Sequence, residues 1–243
     1  MNHYGLDLLF LFSSKFSKHM KYYAIIVAGG SGSRMQSEIA KQFLLLNGKP
    51  ILMHTLEAFA NSELQPELIL VLNIHQHQYW EELCRQHSFS IKHLVIKGGE
   101  QRFHSVKNGL KAIKGKGIVA IHDAVRPLVS ADLILRSFHA AEANGNAIAA
   151  VKSTDSVRSI NIEGKTEALN REHLLMIQTP QTFAVEYLRK AYQQPFRNEF
   201  TDDASVVEYS GFPIHVIEGS RENIKITYPE DLEIAAIFIK KGL

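Results

Sequence analysis

The stretch "AIIVAGGSGSRM", Ala24 to Met35, runs an apolar segment straight into Gly29, Gly30 and Gly32 and then into Arg34, with Lys41 seven residues further on. Glycines after a strand let backbone N–H groups approach phosphate oxygens, and a following helix N-terminus adds a favourable dipole. Two familiar phosphate loops fail here. A Walker A loop needs Lys and then Ser or Thr after its last glycine, and this chain has Ser33 and Arg34. A dinucleotide fingerprint needs a third glycine where Met35 stands, and an acid about 20 residues on, where only Glu57 inside the next helical segment is available. What remains is a glycine loop from Ala28 with two cations. Such a loop suits a triphosphate attacked at its α-phosphorus, because fixed cations stabilise the charge that grows on the non-bridging oxygens. A glycine turn flanked by two solvated cations is the plainer alternative.

A second stretch, "HDAVRP", puts Asp123 at the end of the apolar run "GIVAI", with Arg126 three residues on. A buried carboxylate is costly without a partner. Beside a nucleotide the natural partner is Mg²⁺, which takes one or two carboxylates plus phosphate oxygens, and Arg126 could grip a second phosphate. A structural Asp–Arg pair across a tight turn fits the same residues. A third loop, "GGEQR", again pairs small residues with an arginine. Lys225, in "GSRENIKITYPEDL", lies in an alternating segment that could reach the same sheet edge.

Lys and Arg number 27 against 25 Asp and Glu, a difference of 27 − 25 = 2, so the charge balance argues against a bulk nucleic-acid binder and makes any anion site local. Cys84 is the only cysteine, which excludes an internal disulfide and a thiolate metal cage. The 12 histidines are scattered and read as surface or helix-end residues. "LDLLFLFSS", Leu6 to Ser14, has the length of a signal peptide but no basic residue before it and no small-residue cleavage site after it. It is also too short to span a membrane. Residues 1–20 are therefore expected to be an extension outside the core, and the protein is expected to be cytoplasmic and free of membrane or nucleic-acid partners.

The elements that must hold these loops alternate. "YYAIIVA" reads as a strand buried on both faces, and "ELILVLN", "HLVIKGG", "GIVAIHDA" and "NAIAAV" read as further strands. Between them lie helices "PILMHTLEAFANS", "QYWEELCRQH", "FHSVKNGLKAI" and "SADLILRSFHAAEANG", the last capped by Ser130 and stopped by Gly145. The rhythm predicts a Rossmann-like, doubly wound, mostly parallel α/β sheet with ligands at the strands' carboxyl ends. Residues 152–178 break it. They alternate polar and apolar residues around Glu163-Gly164 and predict a two-stranded arm projecting from the sheet. The chain then reads as helices "AVEYLRKAY" and "DDASVVEYSG", strand "PIHVIEG" and a closing helix from "PEDLEIAAIFIKK". One domain over residues 21–243 accommodates all of this.

Taken in order, "AGGSGSRM…KQFLLLNGKPILMHTL", "GGEQRFHSVKNGL", "HDAVRP", "TDSVR", "QTPQTF", "TDDASVVEYSG" and "EGSRENIKITYPEDL" resemble the 2-C-methyl-D-erythritol 4-phosphate cytidylyltransferase family from about Tyr22 to Ile239. The resemblance implies an arm that clasps a second subunit, and a reaction of CTP with a sugar-alcohol phosphate that releases pyrophosphate with the help of Mg²⁺. It implies that Arg34 and Lys41 stabilise the α-phosphate, and that Ala28, Gly29, Gly30 and Gly32 hold the triphosphate. Gly99, Glu100, Arg102 and Ser105 would contact base and ribose, and Asp123 would face the metal and the sugar alcohol beside Arg126. Arg171 from the partner's arm would grip the sugar phosphate, with Ser156, Thr201 and Lys225 completing that pocket. The chain has Ala28-Gly29-Gly30 where the family often has Ala-Ala-Gly, Ala40 where it often has Pro, and Thr154-Asp155-Ser156 for Thr-Asp-Thr. The related ribitol 5-phosphate cytidylyltransferases share the Ala-Gly-Gly spelling, whereas "LNREHL" and "TDDASVVEYSGF" favour the methylerythritol enzyme. A non-catalytic nucleotide-binding module is the alternative outside enzymes; retention of Arg34, Lys41, Asp123 and Lys225 speaks against it.

Overall fold

A computed structural model describes residues 20–29 and 39–241. Strand β1 (Tyr22–Ala28) leads to a small hairpin, β2 (Leu45–Leu46) and β3 (Lys49–Pro50), and then to α1 (Ile51–Ala60), β4 (Glu67–Leu72), α2 (His77–Gln86) and β5 (Leu94–Lys97). After α3 (Arg102–Ala112) come β6 (Ile118–Asp123), α4 (Ala131–Asn144), β7 (Asn146–Lys152), β8 (Val157–Ile160), β9 (Thr166–Leu169) and β10 (Leu175–Ala184). The chain closes with α5 (Val185–Ala191), α6 (Asp203–Tyr209), β11 (Val216–Glu218) and α7 (Pro229–Lys240).

The central sheet has the order β11-β7-β10-β6-β1-β4-β5. Its pairs are parallel except where β10 runs antiparallel to β6 and β7. The chain steps outward from β1 to β4 and β5, then returns to β6 on the other side of β1. That reversal opens a crevice at the carboxyl ends of β1 and β6, the place where open α/β sheets take ligands.

Strand alternation divides the core into two layers. Ala24, Ile26 and Ala28 face a layer with Leu56 and Phe59 of α1 and Phe138 of α4, whereas Tyr23, Ile25 and Val27 face Val106 and Leu110 of α3 and Leu188 of α5. Helix α3 lies so near the sheet that a Cβ on Gly109 would stand 2.9 Å from an Ile25 methyl and 3.1 Å from a Val71 methyl. Glycine there lets α3 pack this closely against β1 and β4. Ser130 caps α4 through Leu133 N–H at 3.2 Å, and Gly145 ends it with φ of 85°.

The arm forms as a β8–β9 hairpin turning at Gly164, whose φ is 81°. It is shorter than the pattern predicts. Residues from Leu175 belong to β10, paired with β7 and shifted in register between Ile177 and Gln181. No alternation marks β10, because Gln178, Thr179, Gln181 and Thr182 are buried as hydrogen-bonding groups. Lys225 sits in an extended connection, not in a strand.

Candidate active site

The carboxyl ends of the sheet carry a row of three cavities. The first lies over β4, β5 and the start of α3, among Asn73, His75, Gly98, Gly99 and Glu100. The central one lies over β1 and β6, among Ala28, Lys41, Glu100, Arg102, Asp123 and Lys225. The third lies over the irregular part of β10, among Arg102, Asp123, Arg126, Gln178, Thr201 and Lys225. Gly29 and Glu100 line both the first and the central cavity, and Arg102, Asp123 and Lys225 line both the central and the third. The three cavities therefore adjoin through shared walls and together make up a trough.

Its electrostatic centre is Asp123, the last residue of β6. Lys225 Nζ lies 2.8 Å from its Oδ2, Arg102 Nε 3.5 Å from Oδ1 and Arg126 Nε 3.8 Å from Oδ2. Burial would raise the Asp123 carboxyl, but Arg102, Lys225 and Arg126 outweigh it and hold the group well below the usual carboxylate range. Such a carboxylate is a weak base. It anchors cations.

The surrounding chain braces this centre. Asp123 N–H donates to Thr179 Oγ1 at 3.1 Å, joining β6 to the irregular part of β10. Arg126 Nη1 donates to the Asn223 carbonyl at 2.7 Å, and Asn223 Nδ2 donates to the Thr179 carbonyl at 2.8 Å, which ties down the connection that carries Lys225. Arg126 is thus both an ion-pair partner and a strut. His122 departs from the surface role expected of the histidines. It is fully buried, its pKa is pushed down to about 4, mainly by burial, and its Nε2–H donates to the Arg126 carbonyl at 3.1 Å.

On the nucleotide side, Ser105 is buried in α3 and its Oγ accepts from Gly99 N–H at 3.0 Å, shaping the loop ahead of the helix. A Cβ on Gly99 would stand 2.3 Å from that of His104, so only glycine fits this approach. Lys41 follows the glycine loop, and beside it buried Gln42 donates through Nε2 to the Ala28 carbonyl at 3.2 Å and to Gln76 Oε1 at 3.0 Å. Gly30, Gly32 and Arg34 lie outside the described residues. Arg171 and Ser156 stand on the exposed arm, with Arg171 Nη1 donating to the Thr154 carbonyl at 2.9 Å, and neither lines the trough of its own chain.

Sequence reasoning missed Gln42, Asn223, Tyr192 and Asp203. Only the doubled acid of "TDD" carried a signal, and it read as a helix start. Among the described residues no three His, Cys, Asp or Glu side chains gather as a metal site, and no helix is long and apolar enough to cross a membrane.

A switch-point trough in which cations cluster around Asp123, on a mostly parallel sheet, has the architecture of an α/β nucleotidyltransferase. The family model for 2-C-methyl-D-erythritol 4-phosphate cytidylyltransferase matches residues 22–241. The protein of that name from Bacteroides thetaiotaomicron is 49% identical over 220 residues, covering 90% of this chain and all of that one. The one from Syntrophus aciditrophicus is 40% identical over 227 residues, covering 91% and 97%. The crystal structure of 4-diphosphocytidyl-2C-methyl-D-erythritol synthase from Anaerococcus prevotii superposes with a TM-score of 0.77 at 29% identity, covering 91% of this chain and 96% of that one. The Thermus thermophilus cytidylyltransferase gives 0.74 at 28%, covering 91% and 100%. The chain belongs to the 2-C-methyl-D-erythritol 4-phosphate cytidylyltransferase family.

Proposed function

We propose that this protein joins CTP to 2-C-methyl-D-erythritol 4-phosphate, giving 4-diphosphocytidyl-2-C-methyl-D-erythritol and pyrophosphate for isoprenoid precursor synthesis. The observation that carries this reading is the shared wall of Arg102, Asp123 and Lys225 between two cavities. Two phosphate-bearing substrates meet there. Cytosine and ribose fill the first cavity near Gly99 and Glu100, the triphosphate lies over Ala28, Gly29 and Lys41, and the sugar phosphate takes the third cavity near Thr201.

A diphosphate product requires a phosphate oxygen of the sugar to attack the α-phosphorus of CTP. One P–O bond forms there, the bond to the β-phosphate bridge breaks, and pyrophosphate carries the charge away. The attacking oxygen is already an anion, so the step needs no general base. That matches an Asp123 locked among cations. The work left for the protein is positioning and charge stabilisation by Lys41, Lys225, Arg102 and, from the loop outside the described residues, Arg34.

Asp123 supplies one carboxylate, and three cations already surround it. This set does not by itself make a resident Mg²⁺ site, so the divalent cation is read as part of the substrate, carried in on the triphosphate. The arm exposes Ile160, Ile162 and Leu169, and nearby β10 exposes Leu175, Met176 and Ile177, an apolar run suited to a second copy. That surface supports the reading of a homodimer in which each arm carries Arg171 and Ser156 to the other trough, working in the cytoplasm.

The test is pyrophosphate release from CTP and Mg²⁺, with methylerythritol phosphate and ribitol phosphate offered in parallel. Release with the first at far lower concentration than with the second is expected. Equal or reversed preference would remove the substrate assignment.

A further inference from the structure

Of the side chains at the wall between the central and third cavities, Lys225 is the most exposed, at 41%. Arg102 is anchored from behind. Its Nη2 lies 2.6 Å from Asp203 Oδ2, while its Nε faces Asp123 Oδ1 at 3.5 Å. Asp203 opens α6 and is wholly buried, lining none of the three cavities. Its other oxygen, Oδ1, accepts from the Tyr192 hydroxyl at 2.6 Å. Tyr192 caps the end of α5, and its ring stacks on that of Phe103, the neighbour of Arg102, with centroids 4.6 Å apart. Burial and the Asp203 carboxylate raise the Tyr192 hydroxyl, so it stays protonated and keeps donating. A buried carboxylate that loses its cation is strongly penalised. The Tyr192–Asp203 pair therefore holds one end of the Arg102 fork inside the protein.

We propose that Asp203, oriented by Tyr192, is a positioning residue for nucleotidyl transfer, drawing the end of Arg102 inward so that the rest of its guanidinium edge stays open at the wall where the two phosphates meet. Asp123 is the other carboxylate within reach of Arg102. Without Asp203 the guanidinium closes onto Asp123 as a two-pronged pair, the preferred geometry of that combination. A donor committed to Asp123 is no longer preorganised for charge growing on the α-phosphate, where preorganisation matters most. Asp203 touches no substrate. It acts through Arg102.

The role rests on the nucleotidyl-transfer reading, so its test has one arm that needs no turnover. In protein labelled with ¹⁵N-arginine, the Nε–H signal absent from Arg102→Gln identifies Arg102. That signal should be sharp and slow to exchange in the wild type and should shift or broaden in Asp203→Asn. An unchanged signal overturns the proposal whatever reaction the protein performs. The second arm is a double-mutant cycle on kcat for pyrophosphate release. Asp203→Asn should lower kcat about 10- to 100-fold, the scale of one lost charge-assisted contact. The double variant Asp203→Asn/Arg102→Gln should be no slower than Arg102→Gln alone. Losses that multiply would show that Asp203 acts through the fold and not through Arg102. Should circular dichroism show that Asp203→Asn does not fold, Tyr192→Phe takes its place in both arms, where a shifted Arg102 signal and a non-multiplying loss support the proposal and the opposite results overturn it.

Discussion

Lys225→Ala separates catalysis from stability because the two effects differ in size. Lys225 Nζ is 2.8 Å from Asp123 Oδ2, yet its side chain is 41% exposed, so solvent screens the pair. Exposed pairs contribute roughly 0.2–1 kcal/mol to folding, and in a chain of this length about 1 kcal/mol shifts Tm by roughly 2–4 °C. The same ammonium stands on the wall shared by two cavities, where the proposed reaction would develop charge as pyrophosphate leaves. Removing one such preorganised donor costs about 2.7–4 kcal/mol of transition-state stabilisation, or roughly 10²–10³ in kcat. The expected variant melts within a few degrees of the wild type and turns over at least a hundredfold more slowly. Steady-state pyrophosphate release and a melting curve on the same preparation read both quantities. A variant that keeps kcat within threefold while Tm drops by about 10 °C would show Lys225 to be a structural ion-pair partner, and the catalytic assignment would be withdrawn.

Other expected outcomes follow from the same geometry. Because Asp123 is held below its unfolded value of about 3.9, it contributes stability that is present above that pH and is lost as pH falls through the depressed folded value. Tm should therefore decline below about pH 4, more shallowly in Asp123→Asn, and kcat should show no acid limb from this carboxyl between about pH 5 and 8; a limb there that Asp123→Asn abolishes would contradict the ion-pair account. Gly109→Ala forces a methyl to within 2.9 Å of Ile25, and should cost about 1–3 kcal/mol by urea melting; an unchanged midpoint would mean that α3 has room to move. Mixing Arg171→Ala with Lys41→Ala chains should restore activity through the heterodimer site that keeps both residues. No recovery after verified subunit exchange would place Arg171 outside the trough of a neighbour.

Most strands of the sheet are legible from sequence because their burial is apolar. β1, β4, β6 and β7 are continuous hydrophobic runs, as parallel strands covered on both faces must be. β10 is not, since its middle is buried through hydrogen bonds to Ser220, Asp202 and Ser137, partners far away in sequence. Such a strand looks like a loop until its partners are in place. The site divides the same way. Lys41, Asp123 and Arg102 stand at strand ends, in loops or at a helix start, where spacing reveals them, and they do converge. Asp203 and Tyr192 are disguised as an acid in the first turn of a helix and an aromatic at a helix end. Their role comes from contact with Arg102, about a hundred positions away along the chain, which no local pattern records.

Transfer of the cytidylyl group itself is tested most directly by tracing oxygen. Methylerythritol phosphate bearing ¹⁸O on its phosphate is incubated with CTP, Mg²⁺ and the protein, and the products are read by ³¹P NMR and mass spectrometry. Attack on the α-phosphorus predicts a cytidine diphosphate linkage that retains the label, with unlabelled pyrophosphate released in equal amount. Formation of CDP together with a labelled sugar diphosphate would mean attack at the γ-phosphorus instead, and would contradict the assignment of the trough.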